Sequence, residues 1–182
     1  MTLSDMSEER DQIDEFLDEI SPELPRIDLE VEGIVDRIDF LHRHLKRAME
    51  ETLAEQGLGH GEWSVLGMLK RPGPPYRRTP GQLARHAGLS TGAMTNRLDR
   101  LEEAGLVTRL PDPDDRRSIQ VELTPAGHRA WEVSVGAQSK KEALIVSALT
   151  AKERIELNRL LRRIVRGAEQ HLGPIKRGKH GE

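Results

Sequence analysis

The stretch from Thr79 to Thr124, TPGQLARHAGLSTGAMTNRLDRLEEAGLVTRLPDPDDRRSIQVELT, constrains the fold more than any other part of this chain. Thr79-Pro80-Gly81-Gln82 has the marks of a helix start: an N-cap threonine, proline in the first turn and a glutamine able to reach back to the cap. Leu83, Ala84 and Ala87 give this short helix one apolar face, and Gly88 supplies a sharp turn. A second helix opens at Leu89-Ser90, with Ser90 as N-cap and Leu89 placed to staple against Met94. Met94, Leu98, Leu101 and Ala104, spaced by four, three and three, form its inward stripe, and Gly105 ends it. Leu106 to Leu110 and Ser118 to Leu123 read as two strands, the second alternating with period two. Between them the PDPDDRR run, Pro111 to Arg117, reads as an exposed loop, and Thr124-Pro125 then starts another helix as Thr79-Pro80 does.

Two capped helices around a glycine turn, followed by a charged hairpin, are the parts of a winged helix-turn-helix, which lays its second helix in a DNA major groove. Opposite the apolar stripe that helix presents Ser90, Thr91, Gly92, Ala93, Thr95, Asn96 and Arg97. Small residues let a backbone approach phosphates and base edges, and Thr, Asn and Arg side chains read those edges. In the loop, Asp115, Arg116 and Arg117 complete the expected DNA-binding set, since an aspartate can hold a neighbouring arginine ready for a minor groove. Plainer readings stand beside these. Asn96 and Arg97 are also what a solvated helix face carries, and Arg116-Arg117 is also a surface cluster neutralised by Asp112, Asp114 and Asp115. From Tyr76 to Arg117 there are 8 basic and 6 acidic residues, a net of only +2, so DNA affinity has to come from placement rather than bulk charge.

At LSTGAMTNRLDRLEEAGLV, Leu89 to Val107, and DPDDRRSIQVELTPAG, Asp112 to Gly127, the chain resembles the MarR family of bacterial transcription regulators. The family's Asp-x-Arg wing motif falls on Asp115-Arg116-Arg117, and the similarity runs from about Asp36 to Leu172. The resemblance implies an obligate homodimer of triangular subunits, with terminal helices forming the dimer domain and a wing arginine entering the minor groove. It also implies a regulator, usually a repressor, that binds a pseudo-palindromic double-stranded DNA operator and is modulated by a small organic effector. The N-terminal extension and the run RPGPPYRRTP resemble the family's urate-responsive branch, which uses a tryptophan in an extra first helix, an aspartate before the helix-turn-helix and an arginine in the recognition helix. Here no tryptophan precedes Trp63, Ser64 holds the aspartate position, and Arg97 matches the arginine.

The remaining chain reads as helical. Ser7 to Ile20 places Ile13, Phe16, Leu17 and Ile20 on one face; Asp28 to Gln56 carries a seam of Ile34, Ile38, Leu41, Leu45, Met49 and Leu53. Glu62 to Lys70 is short, Pro125 to Ala148 is long, and Thr150-Ala151-Lys152-Glu153 caps a last helix with Ile155, Leu160, Leu161, Ile164, Val165, Ala168 and Leu172. The expectation is therefore a mostly α fold with a small β-hairpin wing, a winged helix-turn-helix plus a helical dimerisation domain. Its expected parts are an acidic extension with a short helix (1–27), dimerisation helices (28–61 and 125–175), a DNA-binding lobe (62–124) and a disordered tail (176–182). Charged residues make up 32% of the chain and aromatics 3%, which suggests a lean core that a dimer interface would supplement. Charge is also uneven: Met1 to Asp39 holds 14 acidic and 3 basic residues, net −11, whereas Lys140 to Glu182 holds 11 basic and 5 acidic, net +6.

No targeting or membrane segment is read, and the zero cysteine count fits a cytoplasmic protein and excludes thiol redox sensing. Gly57-Leu58-Gly59-His60-Gly61 follows a helix rather than a strand and reads as a helix-ending turn, not a dinucleotide loop. His42 and His44 lie two apart on a helix, hence on different faces, so no metal site is expected; neither is a cofactor or a catalytic residue. For an effector, His42, Trp63 and Arg97 are the candidate contacts, and an organic acid, a phenolic compound or no ligand at all stay open. The alternative to a DNA-binding regulator is a winged-helix protein that has lost DNA binding and serves as an interaction module or antirepressor.

Overall fold

A computed structural model describes residues 10–24, 26–112 and 118–174. They fall into two compact units divided between Ala48 and Met49. In the first, α1 (Gln12–Ile20) starts on a capping box: the Asp11 carboxylate accepts from the backbone of Ile13 and Asp14 while Asp14 reaches back to the Asp11 N–H. The helix expected from Ser7 begins at Gln12 among the described residues, and Ser7 to Glu9 lie outside them. Of its apolar face, Ile13 and Leu17 are buried, whereas Phe16 is exposed. The long α2 (Leu29–Ala54) begins in this unit, where Arg37 donates to Asp11 at 2.9 Å and pairs with Asp14 at 2.7 Å, tying α1 to α2.

The second unit holds the end of α2, then α3 (His60–Lys70), β1 (Arg77–Arg78), α4 (Pro80–Ala87), α5 (Thr91–Glu103), β2 (Val107–Pro111), β3 (Ile119–Leu123), α6 (Pro125–Ile145) and α7 (Ala151–Leu172). Its core gathers Leu53, Leu58, Val65, Leu66, Leu69, Leu83, Met94, Leu98, Leu101, Val107, Val121 and Leu123 from helices and sheet alike. Three helices of this unit end by one device. Gly57, Gly88 and Gly105 take φ near 65°, and the next leucine's N–H returns to the carbonyl five residues back: Leu58 to Leu53, Leu89 to Ala84, Leu106 to Leu101. Each turn thus brings a leucine back towards the helix it has just closed.

The sheet has three strands in the order β1-β3-β2, all antiparallel, with Arg109 opposite Val121 and Arg77 opposite Glu122. Sequence patterning shows the β2–β3 hairpin but not β1, whose two residues are too few for any period. The seam expected along α2 divides: Leu53 is buried, but Ile34, Ile38 and Leu41 are exposed. On α7 no residue is buried, and Ile155, Leu157, Leu160, Leu161, Ile164 and Val165 all face solvent in the single chain. Among the described residues no helix is long and apolar enough to cross a membrane.

Candidate nucleic-acid interface

The turn-helix geometry follows from its caps. Thr79 Oγ1 accepts from the Gln82 N–H at 3.2 Å and Gln82 Oε1 accepts from the Thr79 N–H at 3.0 Å, so both ends of the box close as the sequence predicts. Ser90 Oγ accepts from the Ala93 N–H at 3.2 Å and starts α5. Met94, Leu98 and Leu101 are then fully buried, which fixes the rotation of α5 on the lobe. Ala104, expected to extend that stripe, is the exposed C-cap instead, because the helix closes there into the Gly105 turn.

With that rotation set, Ser90, Thr91, Gly92, Ala93, Thr95 and Asn96 all lie on the exposed side of α5, as one continuous face of small and polar residues. Thr95 Oγ1 donates to the Thr91 carbonyl at 2.9 Å. No side chain stands where a Cβ on Gly92 would go, so a backbone or phosphate can approach the first turn closely.

Arg97 behaves differently. It is half-buried, and its guanidinium lies across Gly61 at the start of α3: a Cβ there would sit 2.5 Å from Arg97 Cζ. Glu62 next to it accepts from Arg100 Nε at 2.9 Å. Burial pushes the Glu62 carboxyl up, but the Arg100 hydrogen bond and the charges of Arg100 and Arg97 outweigh it and hold the group below the usual carboxylate range. In the first turn of α3 the Glu62 carboxylate is therefore bonded by Arg100 and lies in the field of Arg97, both on α5. Sequence reading missed this arrangement, because Glu62 and Arg100 are 38 residues apart and no local pattern links them.

The base of the wing is held in the same manner. Arg109 on β2 donates to Glu102 at 2.8 Å and to Asp99 at 2.6 Å, tying the hairpin to the C-terminal half of α5. Asp112 accepts from Gln120 at 2.8 Å and its N–H reaches the Ser118 carbonyl at 3.0 Å, closing the hairpin just before the loop. Asp112 thus serves the hairpin base. The expected wing contacts Asp115, Arg116 and Arg117 lie outside the described residues.

Of the three effector candidates, His42 is exposed on α2 in the first unit, whereas Trp63 and Arg97 belong to the second. Trp63 packs on the lobe core, 5.8 Å from the His60 ring, and its indole N–H is buried without a hydrogen-bond partner. Another contact set, unseen from sequence, joins α3 to α6: Lys70 Nζ is 3.0 Å from His128 Nδ1 and 2.8 Å from Glu132, with Tyr76 edge-on to the His128 ring.

Comparison with known proteins places this geometry. The MarR family profile matches residues 56–118, from the end of α2 to the wing. The HTH-type transcriptional regulator PecS of Dickeya dadantii is 30% identical over 164 residues, covering 88% of this chain and 95% of that protein. The crystal structure of YusO from Bacillus subtilis shares the fold with a TM-score of 0.68, at 24% identity over 75% of this chain and 94% of its own. A mutant MarR from Escherichia coli, solved in complex with operator DNA, aligns with a TM-score of 0.54 and 25% identity, covering 80% of this chain and 97% of its own.

Proposed function

The chain belongs to the MarR family of DNA-binding transcription regulators, and from that premise we propose that it works as a cytoplasmic homodimeric repressor, released from a pseudo-palindromic operator by a small organic effector. One observation carries the dimer: α7 exposes Leu157, Leu160, Leu161, Ile164 and Val165 at three-four spacing, an apolar stripe left unburied among the described residues. Residues 28–61 and 125–175 then form the dimer arms, 62–124 the reading lobe and 1–27 an acidic extension. A two-fold axis sets two α5 helices about 34–36 Å apart, one helical turn of DNA. Within each half-site Thr91, Thr95 and Asn96 read base edges, Ser90, Gly92 and Ala93 bring the backbone to phosphates, and Arg117, beside Asp115 and Arg116, enters the minor groove.

Effector control is assigned to the start of α3. That a similar protein, a mutant MarR, was solved with operator DNA supports DNA as the partner; Arg97 on α5 rests on Gly61 and acts on Glu62, and Trp63 follows them in the first turn of α3. A ligand that engages Trp63 and draws Arg97 further from the DNA face weakens the operator complex. A coupling of about 1–3 kcal/mol lowers affinity by roughly 5- to 150-fold, and operator must weaken the ligand by the same factor.

The test is selection of bound sequences from a random duplex pool, followed by salt titration of the winner. Two inverted half-sites about one turn apart and a steep loss of affinity with salt are expected; a single half-site bound by monomer overturns the proposal. Arg97→Ala should weaken operator binding by roughly 1–3 kcal/mol. Gly61→Ala, whose new methyl expels the Arg97 guanidinium from its resting place, should strengthen it.

A further inference from the structure

The first unit contains a half-open groove of about 610 Å³ between α1 and α2, lined by Gln12, Ile13 and Phe16 on one side and Asp36, Phe40, Arg43, His44 and Arg47 on the other. That volume suits a small organic molecule. Its lining is unusual for this chain. The protein has only two phenylalanines, and both Phe16 and Phe40 face this one groove. Phe16 is 47% exposed although Ile13 and Leu17 on the same helix are buried, so its ring forms an open apolar wall rather than part of a packed core.

Charge is ordered along the groove. Asp36 stands at one end, and Arg43, His44 and Arg47 cluster at the other; eleven residues of helix put Asp36 and Arg47 about 16 Å apart. Arg43 is steadied by Asp39 at 3.2 Å, and the Phe40 ring lies 4.5 Å from the His44 ring. Met1 to Ala48 holds six Lys and Arg residues against 14 Asp and Glu, and two of those six, Arg43 and Arg47, line this groove. Arginines gathered beside two phenylalanines in such surroundings mark a place that attracts an anion with an apolar body.

A dimer built on the exposed apolar seam of α2 would leave the groove open. Asp36, Phe40, Arg43 and Arg47 occupy one face of α2, while the exposed apolar residues Ile34, Ile38 and Leu41 occupy another. At roughly 3.6 residues per turn the two faces stand about 150° apart, so a partner covering the apolar seam leaves the groove facing away from it.

We propose that this groove binds an aromatic or acyl carboxylate, with its apolar body on Ile13, Phe16 and Phe40 and its carboxylate on Arg43 and Arg47. Asp36 at the far end sets the direction, because a carboxylate placed there would be repelled. The site is distinct from the Trp63–Arg97 region of the second unit and does not depend on it.

The test is calorimetric titration of the full chain with 2-naphthoate, with decanoate and with uncharged 2-naphthalenemethanol. One saturable site per chain is expected for at least one carboxylate, with the alcohol about 10-fold weaker or worse, as loss of a charge-assisted hydrogen bond requires. Tighter naphthoate assigns an aromatic ligand, and tighter decanoate an acyl one. Arg47→Gln and the double variant Arg43→Gln/Arg47→Gln should each weaken binding by about 10-fold or more. Phe40→Leu should weaken it with the unfolding midpoint of the first unit checked alongside. Absence of saturable binding, equal binding of the alcohol, or undiminished binding in the double arginine variant overturns the proposal. Operator binding is measured separately, so failure here leaves DNA recognition by α5 standing.

Discussion

The reading lobe and the last helix use the same kind of residue in opposite ways. In the lobe, Leu66, Leu69, Leu83, Met94, Leu98 and Leu101 are fully buried within one chain. On α7, Leu157, Leu160, Leu161 and Ile164 repeat at helical spacing just as regularly, yet each is 39% exposed or more. Periodicity therefore reports that a helix has an apolar face and says nothing of what covers it. The lobe closes its own core through the three glycine turns at Gly57, Gly88 and Gly105, whereas α7 is capped by Thr150 and Glu153 but buries none of its residues among the described ones. Stability of the lobe should then be a property of the chain, and that of α7 a property of concentration.

Three substitutions separate those two regimes, in falling order of effect. Leu98→Ala, at a fully buried position between α5 and the rest of the core, should destabilise the lobe by roughly 2–5 kcal/mol in urea unfolding, at any protein concentration. Leu161→Glu should leave lobe unfolding unchanged and raise the dimer dissociation constant by about 30-fold or more, about 2 kcal/mol, in sedimentation equilibrium. If it instead lowered lobe stability, α7 would have to pack within its own subunit. Gly105→Ala places a Cβ at φ 67° and should cost roughly 1–2 kcal/mol, read as a lower urea midpoint with an unchanged slope.

What the sequence revealed follows the same divide between local and remote causes. Thr79, Ser90, Thr124 and Thr150 were legible as N-caps because cap and partner lie three residues apart, and each makes the expected bond. The hairpin was legible from alternation in Ile119–Leu123. The start of α1 was not, since its box uses Asp14 where Glu or Gln is the usual signal. Nor were Glu62 with Arg100, Arg109 with Asp99, or the Arg97 guanidinium over Gly61, because each depends on how α5 is rotated by its buried stripe. The outward face of α5 could be named in advance; the arginine at its edge could not be aimed.

The smallest expected effect concerns α1, which joins α2 through little apolar surface and much charge. Arg37 donates to Asp11 and pairs with Asp14, while Leu17 lies near Gly33 on α2. The Arg37 hydrogen bond holds both the Asp11 and Asp14 carboxyls below the ordinary carboxylate range, against the upward push of desolvation. A depressed folded-state value means that the stabilisation is complete above the unfolded value of about 3.9 and is lost as pH falls through the lower folded value. Acidification from about pH 5 downward should therefore speed amide exchange in α1 before it does so in α5, whose buried stripe contains no ionisable group. Because Arg37 and Asp11 are both well exposed to solvent, salt should blunt the effect. Arg37→Gln should reproduce the acid behaviour at neutral pH and remove most of its further pH dependence. Protection of α1 that is indifferent both to pH and to Arg37→Gln would show that Ile13 and Leu17 hold it unaided, and that the first unit is held by apolar burial as the lobe is.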